Sequence, residues 1–397
     1  MTDSNSYFPP DLLIEILLKL PVKSLLRFRA VSKSWNSLIS SPAFISTHLN
    51  QTPKTSTLLL RRYDNTHNKE YYSLFQDCKN RPFCLDFSSQ LNLPFNCQLG
   101  YFRIVGSCNG IMCLCDDFFA DVGNVVVILW NPSIQKFTTL PLPLIRSKSP
   151  DMFVLGFGAD HLSNNDDDDY KLVRLVYHKN DDVFSRYNVP PEVEIYSLNT
   201  GVWRRVIGAE IKHCMVEFMW SQAFVNGAVH WIAYDVGENG GVRSLIMFFS
   251  IADEVFGDIM LPDALAGQIA TNLSIMVFEG SLAVVKYERE IDGGSCEVWA
   301  MKQYGVLESW SRFYSINLDD MERVVGYRNN GEVLFSTRSY ELVSYDPNSG
   351  HKKDLGIRGS SRSFYVQNYM ESLVLLQGDS VVSDEFLEGI GSLWIED

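Results

Sequence analysis

The stretches VVVILWNPSIQKFTTLPLP (125–143), VEIYSLNTGVWRRV (193–206), IMFFSIADEVFGDIMLP (246–262), EVWAMKQYGVLESWSRF (297–313) and LVSYDPNSGHKKDLGI (342–357) are variations on one unit. Each is an apolar strand with an aromatic near its end, then a polar turn, then a second strand. The anchors Trp130, Tyr196, Phe249, Trp299 and Tyr345 are 66, 53, 50 and 46 residues apart. A weaker sixth unit, EYYSLFQD (70–77), lies one step earlier. A second marker precedes most units: CNGIMCL (108–114), VNGAVHWI (225–232), FEGSLAVV (278–285) and NNGEVLFS (329–336), each with Gly at a tight turn into a strand. A chain that repeats at this interval stacks its units, because one unit cannot bury its apolar face alone.

Four strands per roughly 50 residues, about six times over, is the spacing of a kelch-like β-propeller. A pair of β-sandwiches is the competing architecture. In the propeller reading, TSTLLLRRY (55–63) pairs with SFYVQNYMESLVLL (363–376) to close the ring and remove free edges. The repeat body is expected over 51–380, followed by a C-terminal tail, 381–397.

The first 50 residues follow another period. In FPPDLLIEILLKLPVKSLLRFRAVSKSWNSL (8–38), apolar residues at 12, 13, 16, 17 and 20 make one helix face, which Pro21 ends. Ser24 and Ser32 are positioned to cap a second and a third helix, and Pro42 ends the third. Three helices in about 40 residues are too small for a self-sufficient core, so a neighbour must cover apolar surface. That neighbour is either the rest of this chain or another protein. Lys19, Lys23, Arg27, Arg29 and Lys33 against Asp3, Asp11 and Glu15 leave this head at +2. The net charge of the chain is −14, so the body carries −16. A basic head on an acidic body points to an acidic partner for the head, and the overall charge argues against a general nucleic-acid binder.

The head also resembles an F-box. The resemblance rests on Pro9, Asp11-Leu12-Leu13, Glu15-Ile16-Leu17, Leu20-Pro21-Val22-Lys23-Ser24-Leu25, Arg27-Phe28-Arg29, Val31-Ser32-Lys33-Ser34-Trp35 and Ser41-Pro42-Ala43-Phe44. Phe8, where Leu is usual, and Ala30, where Cys is frequent, depart from the pattern and stay apolar. The resemblance implies docking on a Skp-type adaptor, and through it on a cullin and a RING subunit of a ubiquitin ligase. Pro9, Leu12, Ile16, Leu17, Leu20, Pro21 and Leu25 would meet the adaptor, and Val31 and Trp35 would fix the helices to each other.

The body resembles the F-box-associated domain of plant F-box proteins. Its motifs are Gly106-Ser107-Cys108-Asn109-Gly110, Trp130-Asn131-Pro132-Ser133, Gly156-Phe157-Gly158, Asp169-Tyr170-Lys171-Leu172-Val173 and Glu371-Ser372-Leu373-Val374. ILWNPSIQKFTTLP, Pro262-Asp263-Ala264 and YMESLVLL are similar to the S-locus F-box and S-haplotype group. The resemblance implies a substrate-recognition subunit without chemistry of its own, and the S-locus group implies a pistil ribonuclease as target. A free-standing propeller scaffold and a propeller enzyme are the rival readings.

Residues of chemical interest read as structural. Cys108-x4-Cys113-x-Cys115 lacks the second ligand pair of a zinc site, so buried thiols are expected. NNDDDD (164–169) lacks the spacing of a calcium loop. His230-Trp231 sits in a predicted strand, and no nucleophile elbow, P-loop or dinucleotide fingerprint occurs. No metal, cofactor, nucleic-acid or membrane partner is expected, nor a secretory leader. Eight cysteines in 397 residues suit reduced thiols in the cytosol or nucleus. The least patterned loops, around 144–152, 160–169, 179–190 and 233–243, are left as candidates for an unknown, basic protein target.

Overall fold

The computed structural model describes residues 9–51, 57–77, 88–95, 97, 100–116, 125–146, 150–160, 169–178, 190–208, 211, 214–215, 222–236, 241–289, 294–317 and 320–374. The expected tail, 381–397, lies outside them, as do Cys78, Cys84 and Asp166–Asp168.

The head comprises α1 (Pro10–Leu18), α2 (Val22–Phe28), α3 (Lys33–Ile39) and α4 (Pro42–Gln51). Proline opens α1 at its first position, where an amide hydrogen has no helical partner to lose. The Ser32 hydroxyl accepts the Trp35 amide at 3.2 Å and so caps α3. The sequence reading has Pro42 only as a stop, and a fourth helix follows it. Ser41 explains this second role: its hydroxyl accepts the Phe44 amide at 3.3 Å, so Ser41-Pro42 is a cap with proline at the first helical position.

Six four-stranded antiparallel blades follow. The first contains β1 (Thr57–Asp64), β2 (Lys69–Gln76) and β3 (Ser88–Leu91). The second is β4 (Arg103–Cys108), β5 (Ile111–Asp116), β6 (Val126–Asn131) and β7 (Lys136–Thr139). The third is β8 (Pro150–Asp160), β9 (Asp169–His178), β10 (Glu192–Ser197) and β11 (Val202–Val206). The innermost strand of the fourth is split into β12 (Cys214–Met215) and β13 (Ala223–Val225), followed by β14 (Ala228–Val236), β15 (Val242–Ser250) and β16 (Phe256–Ile259). A short α5 (Asp263–Ala266) leads to the fifth: β17 (Leu273–Phe278), β18 (Ser281–Arg289), β19 (Gly294–Met301) and β20 (Trp310–Asn317). The sixth is β21 (Met321–Tyr327), β22 (Val333–Thr337), β23 (Glu341–Tyr345) and β24 (Lys352–Arg358).

The last strand, β25 (Tyr365–Asn368), returns to the first blade as its innermost strand. It pairs Leu58 with Asn368, Leu59 with Gln367, Leu60 with Val366 and Arg61 with Tyr365. This is the closure expected from the sequence, and it gives the first blade the fourth strand that its own repeat lacks.

The five sequence anchors, Trp130, Tyr196, Phe249, Trp299 and Tyr345, all lie in the third strand of their blades. The Gly markers are the turns between first and second strands. Asn109 and Gly110 have φ of 51° and 78°, and Asn226–Gly227 and Glu279–Gly280 repeat that left-handed pair. Two consecutive residues at positive φ give the turn whose twist matches its strands.

Apolar clusters fill the spaces between neighbouring blades. Cys108, Cys113 and Cys115 belong to one of them with Leu129, Phe157 and Trp203, and burial pushes the Cys113 thiol far above its ordinary value. A buried ion pair within the third blade, Arg174 Nη1 2.5 Å from Glu194 Oε1, holds the connection arriving from the second blade. The other Glu194 oxygen accepts the Leu144 and Ile145 amides at 2.9 and 3.1 Å.

Gly156 shows how closely the blades approach. A Cβ there would lie 2.3 Å from Trp231 Cζ2, and Trp231 is held by its Nε1 bond to the Leu155 carbonyl at 3.1 Å. Gly156→Ala is therefore expected to cost about 1–3 kcal/mol of unfolding free energy through overpacking. Urea denaturation checks this as a lower midpoint at unchanged slope.

Candidate protein-docking faces

Strand polarity assigns every connection to one of two faces. First and third strands run toward one face and second and fourth strands toward the other, so successive turns alternate between them. The turns Asn109–Gly110 and Pro132–Gln135 lie on the same face as the head. In the first blade this face has no turn between first and second strands, because β25 and β1 come from opposite ends of the chain. The head precedes β1 and the segment after β25 follows, so both emerge at this seam.

Here three of the sequence motifs meet. Asn131 is fully buried, and its side-chain amide donates to the carbonyls of Ser372 and Val374 at 3.1 and 2.8 Å and to the Ser372 hydroxyl at 3.0 Å. Its side-chain oxygen accepts the Ser133 amide at 2.9 Å. Ser133 and Tyr369 hydroxyls are 2.6 Å apart. Any Cβ at Gly110 would lie 2.5 Å from the Met370 carbonyl oxygen and 2.8 Å from the Ser372 hydroxyl. The segment 369–374 is thus held in a groove made by the second blade. A fourth motif touches it indirectly, since Asn109 donates to the Tyr170 hydroxyl at 3.0 Å.

The groove aims Leu373 into the head. Leu373, 1% exposed, packs with Leu17, Leu18, Val22, Leu25, Ile39 and Phe44, and Ile134 of the second blade joins them. The body therefore completes the core that the head lacks. Buried His48 donates from Nε2 to the Leu20 carbonyl at 3.0 Å and closes α4 onto the end of the first helix.

The seven adaptor candidates fall into two layers. Pro9 and Pro21 are exposed, as are Leu12 and Ile16, at 42% and 44%, one turn apart on α1. Leu20 is half-buried. Leu17 and Leu25, at 1% and 0%, lie beneath them in the core shared with Leu373. Lys19, Lys23, Arg27 and Lys33 are exposed beside this surface. Trp35 packs edge-on against Phe28 at 5.4 Å and joins α2 to α3. Val31 has no part in that joint. It is 63% exposed, because the turn that carries it ends before α3 begins.

The opposite face carries a different set. Leu142, Leu144, Ile207, Val242 and Ile269 are exposed there, on connections of the second to fifth blades. Of the loops singled out from sequence, the described residues flanking 147–149, 179–189 and 237–240 end at this face, whereas Asp160 and Asp169 end at the head side. Residues 147–149, 161–168, 179–189 and 237–240 lie outside the described residues. Sequence reasoning misses Ile134 and Leu373 as head contacts. An exposed-looking apolar residue inside a polar turn, and one in the final strand motif, are the available signals.

His230 is fully buried. Its Nδ1 donates to the Ala223 carbonyl at 3.1 Å and its Nε2 accepts from the Tyr304 hydroxyl at 2.7 Å. Burial lowers its pKa to about 4. Among the described residues, no group of three His, Cys, Asp or Glu side chains is arranged to hold a metal ion. No helix among them is long and apolar enough to cross a membrane.

The chain matches the family described as "F-box associated beta propeller domain" over residues 63–375 and the "F-box domain" over residues 6–47. Among Arabidopsis thaliana proteins it is 29% identical to F-box protein At3g07870, covering 90% of this chain and 89% of that one. It is 28% identical to F-box/kelch-repeat protein At3g23880, covering 86% and 88%. It is 27% identical to F-box protein CPR1, covering 92% and 88%.

Two outcomes follow from this geometry. Asn131→Leu leaves the Ser372 and Val374 carbonyls unpaired, so limited proteolysis is expected to release the head sooner than in wild type. Because the unfolded chain protonates His230 near 6.5 and the folded chain only near 4, stability is full above 6.5 and is lost as pH falls through this window. The loss is roughly 3 kcal/mol, and urea titrations of wild type and His230→Gln at each pH check it, the variant lacking this step.

Proposed function

The chain belongs to the F-box proteins that carry an F-box-associated β-propeller, and on that premise we propose that it is the substrate-recognition subunit of a Skp–cullin–F-box ubiquitin ligase. The head docks on a Skp-type adaptor, and through it on a cullin and a RING subunit. The propeller holds a protein target on the face away from the head. The observation that carries this reading is the two-sided head: its inner side is sealed by Leu373 and Ile134, while Leu12 and Ile16 stay in water on its outer side.

Pro9, Leu12, Ile16, Leu20 and Pro21 form the contact layer in this proposal, and Leu17 and Leu25 hold it in shape from below. Apolar anchors near the centre of an interface supply most of its affinity. The exposed Lys and Arg beside them steer an acidic adaptor and raise its on-rate. The ligase chemistry belongs to the other subunits. This chain contributes effective concentration, by holding a target lysine within reach of the loaded enzyme. Its acidic body attracts a basic target at long range, and the S-locus resemblance makes a pistil ribonuclease the first target to assay by co-precipitation.

Leu12→Asp and Ile16→Asp change exposed residues, so the fold is expected to survive. Each should weaken co-purification with a Skp-type adaptor by at least about tenfold, with melting temperature unchanged. An unweakened variant, or a wild-type chain that fails to capture the adaptor, overturns the docking assignment. Measurable turnover by the isolated propeller favours the enzyme alternative.

A further inference from the structure

On the far face, the rim where the sixth blade meets the first is organised around Tyr101, in the connection from β3 to β4. Its hydroxyl donates to the Ser361 carbonyl at 3.3 Å. The Arg61 guanidinium carbon lies 4.8 Å from its ring centroid, and Arg61 Nη1 donates to the Ser363 carbonyl at 2.6 Å. Arg323 donates to the Phe364 carbonyl. The loop between β24 and β25 is thus gripped at three carbonyls by residues of three separate parts of the chain. Arg362 sits in the middle of this loop and is exposed. It joins Arg61 and Arg323 in acting electrostatically on the Tyr101 hydroxyl. Arg358 stands at the edge of the rim, its carbonyl accepting from Arg62 Nη1 at 3.1 Å.

Among the described residues, the carboxylates facing this group are Glu70, Glu322 and Glu341, with Asp64 3.7 Å from Arg62 Nη1. Glu70 is 3.6 Å from Arg61 Nε, and its pKa is raised by burial. Glu341 holds Arg358 at 2.8 Å. Glu322 accepts from the Ser336 hydroxyl at 3.1 Å. Among the described residues five arginines, Arg62 included, thus meet four carboxylates, and the local sign is opposite to that of a body carrying −16.

The backbone of the rim gives an independent indication. Arg362 and Tyr340 have φ of 57° and 62°, and their loops are joined by the Gly359 amide donating to the Tyr340 carbonyl at 2.9 Å. Among the described residues, the other non-glycine positions at positive φ are Asn, Gln or Glu. Arg362 and Tyr340 bear the cost of a Cβ in the left-handed region, as Gln135, Glu254 and Glu279 do, and such strain is found at functional positions. Arg and Tyr are also the residue types that dominate protein interfaces.

We propose that this rim docks an acidic segment of the target protein, with Arg362 and Tyr101 at its centre and Arg358 at its edge. The proposal rests on the far face being the target-binding face. Repulsion from the rest of the body rejects a broadly acidic protein, so the site accepts a short acidic segment on a neutral or basic one.

The test uses the full chain, with and without its Skp-type adaptor, and two fluorescein-labelled peptides of equal length, one of Glu and Ser and one of Lys and Ser. Fluorescence polarisation should show the Glu peptide binding with an affinity that falls as salt rises, and the Lys peptide not binding. Arg362→Gly removes the guanidinium while easing the backbone, so it should weaken the Glu peptide roughly tenfold with no loss of melting temperature. Arg358→Ala, at an exposed side chain, should weaken it less. Equal binding of the two peptides, or full binding by Arg362→Gly, overturns the proposal. Adaptor capture is unchanged in these variants, so failure of the acidic site and failure of the ligase assignment are read separately.

Discussion

The pairing of Leu58–Arg61 with Tyr365–Asn368 is the constraint on which the remaining structure depends. Four residue pairs join the two ends of a body more than 300 residues long. Without them the first blade lacks its innermost strand and the ring has two open edges. The pairing also decides where the ends emerge. Tyr369 donates its amide to the Thr57 carbonyl at 2.8 Å, so the segment after β25 and the segment before β1 leave side by side. The position of the helices follows from this closure, since they are attached to the blade whose first turn is missing.

The clasp at Asn131 converts that proximity into a shared core. A head of four short helices has too little interior to be stable alone, and its buried leucines find part of their packing in Leu373 and Ile134. A single buried Asn making four hydrogen bonds to backbone and hydroxyl groups sets the path of the donor segment. Losing its amide leaves carbonyls without partners in a dry site, which is the expensive side of hydrogen-bond energetics. The head and the propeller are therefore joined by packing, with the linker between Gln51 and Thr57 only one part of the connection.

Much of this architecture is legible in the sequence, for physical reasons that differ from part to part. The blades are visible because a strand buried on both sides must end in a turn of fixed chemistry. That rule places Asn109–Gly110, Asn226–Gly227 and Glu279–Gly280 at equivalent points. Closure is visible because an isolated strand pair at the two ends has no other use. Helix α4 escapes such a reading because Pro42 looks like a stop, although Ser41-Pro42 is equally a start. The coupling of Asn131 to Ser372 is hidden, because a hydrogen bond spanning 241 residues leaves no periodic trace. The arginine rim is hidden for the same reason: Arg61, Arg323 and Arg362 come together only when the ring shuts. The quoted motifs carry the family resemblance, yet Asn131, Ser133, Gly110 and Ser372 serve the joint with the head, whereas the far face is built from residues without a pattern.

The alternation of turns between the two faces also fixes a length. Blade strands averaging about six residues, rising ~3.3 Å each, make the ring roughly 20 Å thick. A protein resting on the far face would be separated from the helices by that thickness, and the Asn131 clasp and Leu373 packing hold the helices to the second blade. The ring then works as a spacer. In the ligase role we propose, such a spacer would set the height above the ring at which a target lysine is reached. In that role the choice of lysine would be a matter of height above a platform, set by strand length, and separable from the choice of protein, which would fall to the loops on top.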